Sequence, residues 1–292
     1  MNLIDIWKQA RRPTLSFELF PPRSDKQADK LPGIIDRLAA LKPDVVSVTF
    51  GAGGSTRQGS RRLVENLKGE KGLEVLAYFA GYGLGPEEVA AVLDDYGSLG
   101  VDNILLVRGD PPREEASRPQ PGSFQHASDL LAFVRPRYDF CLGAAGYPEG
   151  HTESAGPEED IAYLKLKVDL GAQFVIANYF YDNAFFFNFR DRCAAAGIEV
   201  PILPGIMPIY SVKMMETLAG LCGATITDQV RRSLAAIPQD DKETLLEFGI
   251  EFAAGQCREL LASGVPGLHI YTMDRSRSTT GIVNQLRAEG LL

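Results

Sequence analysis

Short apolar runs alternate with amphipathic stretches from one end of the chain to the other. Runs at residues 14–20, 45–49, 74–79, 104–107, 140–145, 174–178, 202–205 and 268–271 are rich in Val, Ile, Leu and Phe. Most are bounded by glycine, proline or charged residues, the signature of a short buried strand. Their apolar character runs on without strict alternation, as expected for a parallel sheet covered by helices on both faces. Between them, helical apolar spacing predicts helices at 27–41, 59–68 and 127–134, and others that begin at Pro86 and Pro157. Three further helical tracts, 212–221, 227–236 and 242–262, precede the last strand. Pro86 and Pro157 suit a first helical turn, and Glu158, Glu159 and Asp160 sit where the helix dipole favours acids.

Leu99-Gly100-Val101, Leu170-Gly171-Ala172, Ala196-Gly197-Ile198 and Ser263-Gly264-Val265 each close a helix shortly before a strand. Glycine there supplies the left-handed residue that ends a helix. Strand–helix alternation with such junctions predicts an α/β fold, a (β/α)8 TIM barrel with extra helices before the last strand, over a doubly wound sheet. No break in composition divides the chain, so residues 1–292 are expected to form a single catalytic barrel domain. The polar stretch 111–122 is expected to be an active-site loop.

A length of 292 residues suits one large barrel. The net charge of −8 argues against non-specific nucleic-acid binding, which needs a basic face. No apolar run approaches the ~20 residues of a membrane span, and residues 1–12 lack a signal-peptide core. Cys141, Cys193, Cys222 and Cys257 are widely spaced, which suggests reduced thiols and a cytoplasmic protein.

The carboxyl ends of barrel strands converge on one mouth. There the sequence places Glu18, Thr49, Asp110, Tyr147, His151, Asn178 and Arg275. Glu18 is a lone carboxylate within Thr14-Leu15-Ser16-Phe17-Glu18-Leu19-Phe20, a run that ends in Pro21-Pro22. If Glu18 alternates inward, its neutral form is favoured, which makes it a candidate general acid; a salt-bridged structural carboxylate is the alternative. Another run is built the same way and ends Arg108-Gly109-Asp110-Pro111-Pro112. Taken alone, Arg108 and Asp110 also fit a solvated turn. Two carboxylates in unlike surroundings suit one proton donor and one electrostatic stabiliser, with Asp110 remaining ionised.

Gly51-Ala52-Gly53-Gly54 fails the dinucleotide fingerprint, because Thr56 stands at the third glycine position, and is expected to be a mouth loop. Asp160, Tyr163 and Lys167 share one helix stripe, which suits either a ligand face or solvent. The aromatic cluster from Tyr179 to Phe189 reads as core or as rings stacking on a planar heterocycle. His126, His151 and His269 lack metal-ligand spacing, so no metal is expected, and no nucleophile signature is present.

Several phrases resemble the methylenetetrahydrofolate reductase family. They are Ser16-Phe17-Glu18-Leu19-Phe20-Pro21-Pro22, the stretch from Val46 to Arg57, Arg108-Gly109-Asp110-Pro111-Pro112, and His126-Ala127-Ser128-Asp129-Leu130. Tyr147-Pro148-Glu149-Gly150-His151, Pro204-Gly205-Ile206-Met207-Pro208 and the stretch from His269 to Arg275 follow in family order. The resemblance implies reduction of 5,10-methylenetetrahydrofolate to 5-methyltetrahydrofolate, with FAD carrying hydride from NAD(P)H. It implies Glu18 as the acid that helps open the imidazolidine ring, Asp110 as a charge stabiliser near pterin and flavin, and Arg275 at the folate tail. Thr49, Arg108, Gly109, Asp110, His126, Ala127, Ala145, Tyr147, His151, Asp160 and Lys167 match flavin positions. It also implies the short bacterial type without a regulatory domain, and a homo-oligomer, with room for an electron-transfer partner subunit.

Three departures accompany the resemblance. Tyr78-Phe79-Ala80 stands where the family commonly has His-Leu-Thr, so a phenol and a methyl replace two polar flavin-side groups. Ala177-Asn178 stands for Thr-Gln, which shortens the amide expected to reach the pterin. Tyr163 occupies a flavin-side position where Asn is found. A flavin-free barrel methyltransferase serving a corrinoid partner, and a non-catalytic folate-binding protein, are the alternatives.

Overall fold

The computed structural model describes residues 1–50, 54–110, 122–238 and 240–292. The expected glycine loop at 51–53, the Pro111-Pro112 turn and the rest of the loop through 121 lie outside the described residues.

Eight parallel strands close into a barrel in sequence order. They are β1 (Thr14–Leu19), β2 (Val45–Val48), β3 (Val75–Ala80), β4 (Asn103–Val107), β5 (Cys141–Gly146), β6 (Phe174–Tyr179), β7 (Ile202–Ile206) and β8 (Gly267–Tyr271). Each lies within a residue of its expected position at either end. The barrel shuts where β8 pairs with β1, in a register that sets His269 beside Ser16 and Tyr271 beside Glu18.

The eleven helices among the described residues are α1 (Leu3–Gln9), α2 (Asp25–Ala39), α3 (Gly54–Glu65), α4 (Pro86–Ser98), α5 (Ala127–Val134) and α6 (Pro157–Asp169), then α7 (Asn183–Ala195), α8 (Val212–Cys222), α9 (Asp228–Ala235), α10 (Lys242–Ala262) and α11 (Ser276–Ala288). A wider π turn at Asn66–Glu70 extends α3. The four helix-ending glycines adopt the left-handed conformation, with φ of 72° at Gly100, 112° at Gly171, 73° at Gly197 and 81° at Gly264. The extra helices α8 and α9 precede β8 and pack on α10 through a cluster of Met215, Ala219, Val230 and Leu234.

Outward strand residues such as Leu15, Phe17, Ile104, Leu106, Leu268 and Ile270 bury against the helix ring. Phe180, Phe186 and Phe189 of the aromatic cluster belong to this core. Inward residues Val45, Leu76, Leu105, Cys141, Phe174 and Ile176 fill the floor, and Leu3 of α1 packs on them. The helix is tied there by two contacts: the Leu3 N–H donates to Asn103 Oδ1 at 2.7 Å and Trp7 Nε1 donates to Thr14 Oγ1 at 2.9 Å. With the floor sealed, the other end of the barrel is the open one.

Candidate active site

A cavity of about 530 Å³ opens beside the carboxyl ends of β4 and β5. Arg108 reaches it from the end of β4, His126 and Ala127 from the start of α5, and Ala145 from β5. Tyr147, His151 and Glu153 line it from the connection after β5, and Asp160, Tyr163 and Lys167 from α6. The helix stripe read from spacing therefore does face a cavity, although Tyr163 stays 55% exposed at its rim.

The electrostatics of this cavity follow from burial. Lys167 donates from Nζ to the Ala145 carbonyl at 2.8 Å, and desolvation pulls its pKa down to about 8 against the opposing pull of Asp160. Asp160 is 8% exposed; desolvation raises its pKa, with Lys167 and His151 pulling the other way. Its Oδ2 is buried without a hydrogen-bond partner. A buried carboxylate oxygen of that kind is a free acceptor for a water or ligand donor. Burial, and next Asp160, push the Tyr147 phenol up to about 12. Its ring meets His151 edge-on at 4.7 Å.

Gly109 shapes the turn beneath. Its φ is +85°, and a Cβ there would lie 2.9 Å from the Ala80 methyl. Gly109 therefore has no room for a side chain against Ala80. Asp110 follows as an exposed residue. Thr49 accepts from Ser60 Oγ through its carbonyl at 2.8 Å.

Glu18 points into the barrel and is 4% exposed. Its Oε2 lies 3.9 Å from His269 Nε2. His269 is fully buried; its Nδ1 is 2.8 Å from Ser16 Oγ and its Nε2 is 3.2 Å from the Tyr78 hydroxyl. Tyr78 therefore turns its hydroxyl to the barrel interior, toward Glu18 and Ser47, and is not among the residues lining the cavity. Burial, and next the Glu18 charge, push this phenol well up, so it stays protonated. Thr272 Oγ1 donates to the Glu18 carbonyl at 2.6 Å, and the Phe20 N–H donates to Asp274 Oδ1 at 3.2 Å. Both bonds fasten β1 to the turn after β8, where Met273 and Asp274 hold φ of 48° and 55°.

The remaining expected positions sit elsewhere on the mouth. Asn178 accepts from the Tyr179 N–H at 3.0 Å through Oδ1. Arg275 stacks over Tyr210 at 5.5 Å and lines a separate cavity of about 860 Å³ between α2, α10 and α11. Sequence reasoning missed Ser16, Glu153, His269, Tyr271 and Asp274. The signal for the barrel set was period two: polar residues at Ser16 and Glu18, and again at His269 and Tyr271, interrupt strands otherwise apolar.

A parallel eightfold barrel with a sealed floor, an internal carboxylate and a polar side cavity at its mouth defines a barrel of the enzyme type. The family profile described as methylenetetrahydrofolate reductase matches residues 3–287, and the chain belongs to that family. It is 34% identical to the 5,10-methylenetetrahydrofolate reductase of Escherichia coli over 275 residues, which cover 93% of this chain and 90% of the relative. It is 35% identical over 287 residues to the probable methylenetetrahydrofolate reductase (NADH) of Oryza sativa, covering 94% of this chain and 48% of that protein. The chain thus spans about half the length of the plant and fission-yeast relatives. An uncharacterized Clostridium thermocellum protein, described as binding two copies of 5-methyl-5,6,7,8-tetrahydrofolic acid, superposes with a TM-score of 0.65 at 16% identity. That likeness covers 98% of this chain and 99% of the other, and shows the shared fold.

Proposed function

We propose that the protein is a flavin-dependent oxidoreductase that interconverts 5,10-methylenetetrahydrofolate and 5-methyltetrahydrofolate with hydride from NAD(P)H. The observation that carries this reading is convergence. Arg108, His126, Ala127, Ala145, Tyr147, His151, Asp160, Tyr163 and Lys167, all named from the sequence, line one cavity beside the barrel that buries Glu18.

The cavity suits FAD in size and in donor set. Its volume lies within the ~300–1,000 Å³ of cofactor sites. Arg108 and Lys167 are cations for anionic groups, and the unpartnered Asp160 oxygen is an acceptor for a hydroxyl. Thr49, Gly109 and Asp110 follow β2 and β4 at the same end of the barrel but, like Tyr78, are not among the residues lining the cavity. When bound, FAD supplies hydride transfer between nicotinamide and folate. The NADH in the name of the Oryza relative favours NADH as donor.

On the folate side, Glu18, buried in the barrel wall, delivers a proton as the five-membered ring opens. Asp110 stabilises the positive charge that develops. The Asn178 NH₂ addresses the pterin, and Arg275 the carboxylates of the tail. A second reading, a flavin-free folate barrel, draws on the ligand described for the Clostridium thermocellum protein and on the turned-in Tyr78 hydroxyl. The visible spectrum after incubation with FAD and desalting separates them. Retained flavin that NADH bleaches and methylenetetrahydrofolate restores supports the reductase; protein that retains no flavin refutes it.

A further inference from the structure

The interior of a (β/α)8 barrel is ordinarily filled by bulky apolar side chains. Here β1, β2, β3 and β8 contribute Ser16, Glu18, Ser47, Tyr78, His269 and Tyr271 instead. Buried polar groups are retained only when satisfied, and satisfaction fixes where each proton sits.

The Ser16 hydroxyl has one proton and two acceptors in reach, the Leu268 carbonyl at 3.2 Å and His269 Nδ1 at 2.8 Å. With that proton on the carbonyl, Ser16 Oγ is an acceptor toward His269, and Nδ1 carries the imidazole proton. Nε2 is then a bare lone pair. The Tyr78 hydroxyl, held protonated, lies 3.2 Å from it and is also within hydrogen-bonding reach of Glu18. With the phenol proton on Nε2, the chain of donation runs from Tyr78 to His269 to Ser16 to the Leu268 carbonyl.

Glu18 Oε2 faces the same lone pair from 3.9 Å. Among the described residues, His269 is the ion-pair-range neighbour of Glu18. The other titratable groups around Glu18 are Tyr78 on β3, Tyr271 on β8 and Asp274 after β8. Burial raises both phenols, and Asp274 is an acid itself, so Nε2 is the base that can take a proton from Glu18.

We propose that Tyr78 is a positioning residue that occupies His269 Nε2 and so reserves the Glu18 proton for the folate. The role in turnover and the proton on Glu18 rest on the reductase reading; the His269 tautomer does not. With the Tyr78 hydroxyl gone, the Glu18 O–H bond breaks, an Nε2–H bond forms, and a carboxylate–imidazolium pair replaces two neutral groups. That pair is a poorer acid toward substrate. The departure from the family at position 78 thus acts on the proton donor and not on the flavin.

The test is nitrogen NMR of the imidazoles in ¹⁵N-histidine-labelled protein, with His269→Gln to assign the signal, for the wild type and Tyr78→Phe. Phe keeps the ring and its packing. The wild type should show a neutral His269 protonated at Nδ1. Tyr78→Phe should show both nitrogens protonated at the same pH, and Tyr78→Phe combined with Glu18→Gln should return His269 to neutral. In stopped flow, Tyr78→Phe should slow oxidation of the reduced flavin by methylenetetrahydrofolate about tenfold or more, a part of the ~10²-fold to 10⁴-fold that a general acid contributes. Reduction by NADH should be unchanged. Ser16→Ala, which removes the acceptor at Nδ1, should shift the proton to Nε2 and slow the same half-reaction. A wild-type His269 protonated at Nε2, or a neutral His269 in Tyr78→Phe, overturns the proposal. A wild type with the expected NMR signature but no folate half-reaction overturns the reductase reading and leaves the His269 tautomer standing.

Discussion

Arg108 and Glu153 face each other across the cavity mouth and pair through both guanidinium Nη atoms, with Nη2 donating to Oε1 at 3.0 Å. The Arg108 hydrogen bonds hold the Glu153 carboxyl below its ordinary range, so the pair persists through neutral and mildly acid pH. Glu153 is 55% exposed, and an exposed pair of this kind adds little to stability. Its effect is on the cation, because an Arg108 held by Glu153 is less available to an anionic ligand. Glu153→Gln should leave the melting temperature nearly unchanged and tighten FAD binding several-fold, read by quenching of flavin fluorescence. Weaker binding would show that Glu153 supports the cofactor instead of competing with it.

Lys167 gives the cavity a pH limit. Its pKa of about 8 means that the ammonium, and its attraction for a phosphate, is lost as pH rises through that value. FAD affinity should fall by up to about tenfold per unit from pH 8 toward 10, and Lys167→Met should bind weakly but with a flat profile. Without ligand the sign for folding is the opposite. Between about 8 and 10.5 the unfolded chain holds the Lys167 proton and the folded chain does not, so stability rises with pH. A dissociation constant for the wild type that stays level from pH 7 to 9 contradicts this assignment.

Asp274 should oppose stability near neutral pH. Burial, countered by the Phe20 N–H and aided by Glu18, raises its pKa to about 6 from 3.8. The folded chain therefore binds the extra proton between those values, and stability falls as pH rises through the window. Asp274→Asn keeps an acceptor for Phe20 and tolerates the left-handed backbone. It should stabilise the protein by roughly 1–3 kcal/mol at pH 7 and by little at pH 4, measured by urea denaturation. An equal difference at both pH values would trace the effect to packing or strain.

The strands are legible in the sequence because each is a short apolar run between turn formers, and burial on both faces leaves little else that such runs can be. Helices α1 and α11 are not, and α7 shows only its end, at Ala196-Gly197-Ile198. In α7, Phe185, Phe186, Phe187 and Phe189 blur the helical period, and α11 opens Ser-Arg-Ser-Thr-Thr-Gly, a poor helix former held by burial of Ile282, Val283 and Leu286. The cavity residues are legible through family phrases more than through spacing, since Arg108 and Lys167 meet only when β4 and α6 are docked. The barrel network is harder still. Ser16 and His269 are separated by 253 residues and become neighbours only through closure of β8 on β1. Nothing local in either strand announces that partner.

The central claim, that Glu18 is the proton donor of a two-step flavin reaction, is tested most directly by Glu18→Gln in separate half-reactions. The variant keeps the shape and burial of the side chain and removes the transferable proton. It should retain FAD and be reduced by NADH at the wild-type rate. Transfer of hydride to methylenetetrahydrofolate should then fall ~10²-fold to 10⁴-fold. Equal slowing of both half-reactions, or no slowing of the second, would make Glu18 a structural carboxylate of the barrel wall and contradict the account.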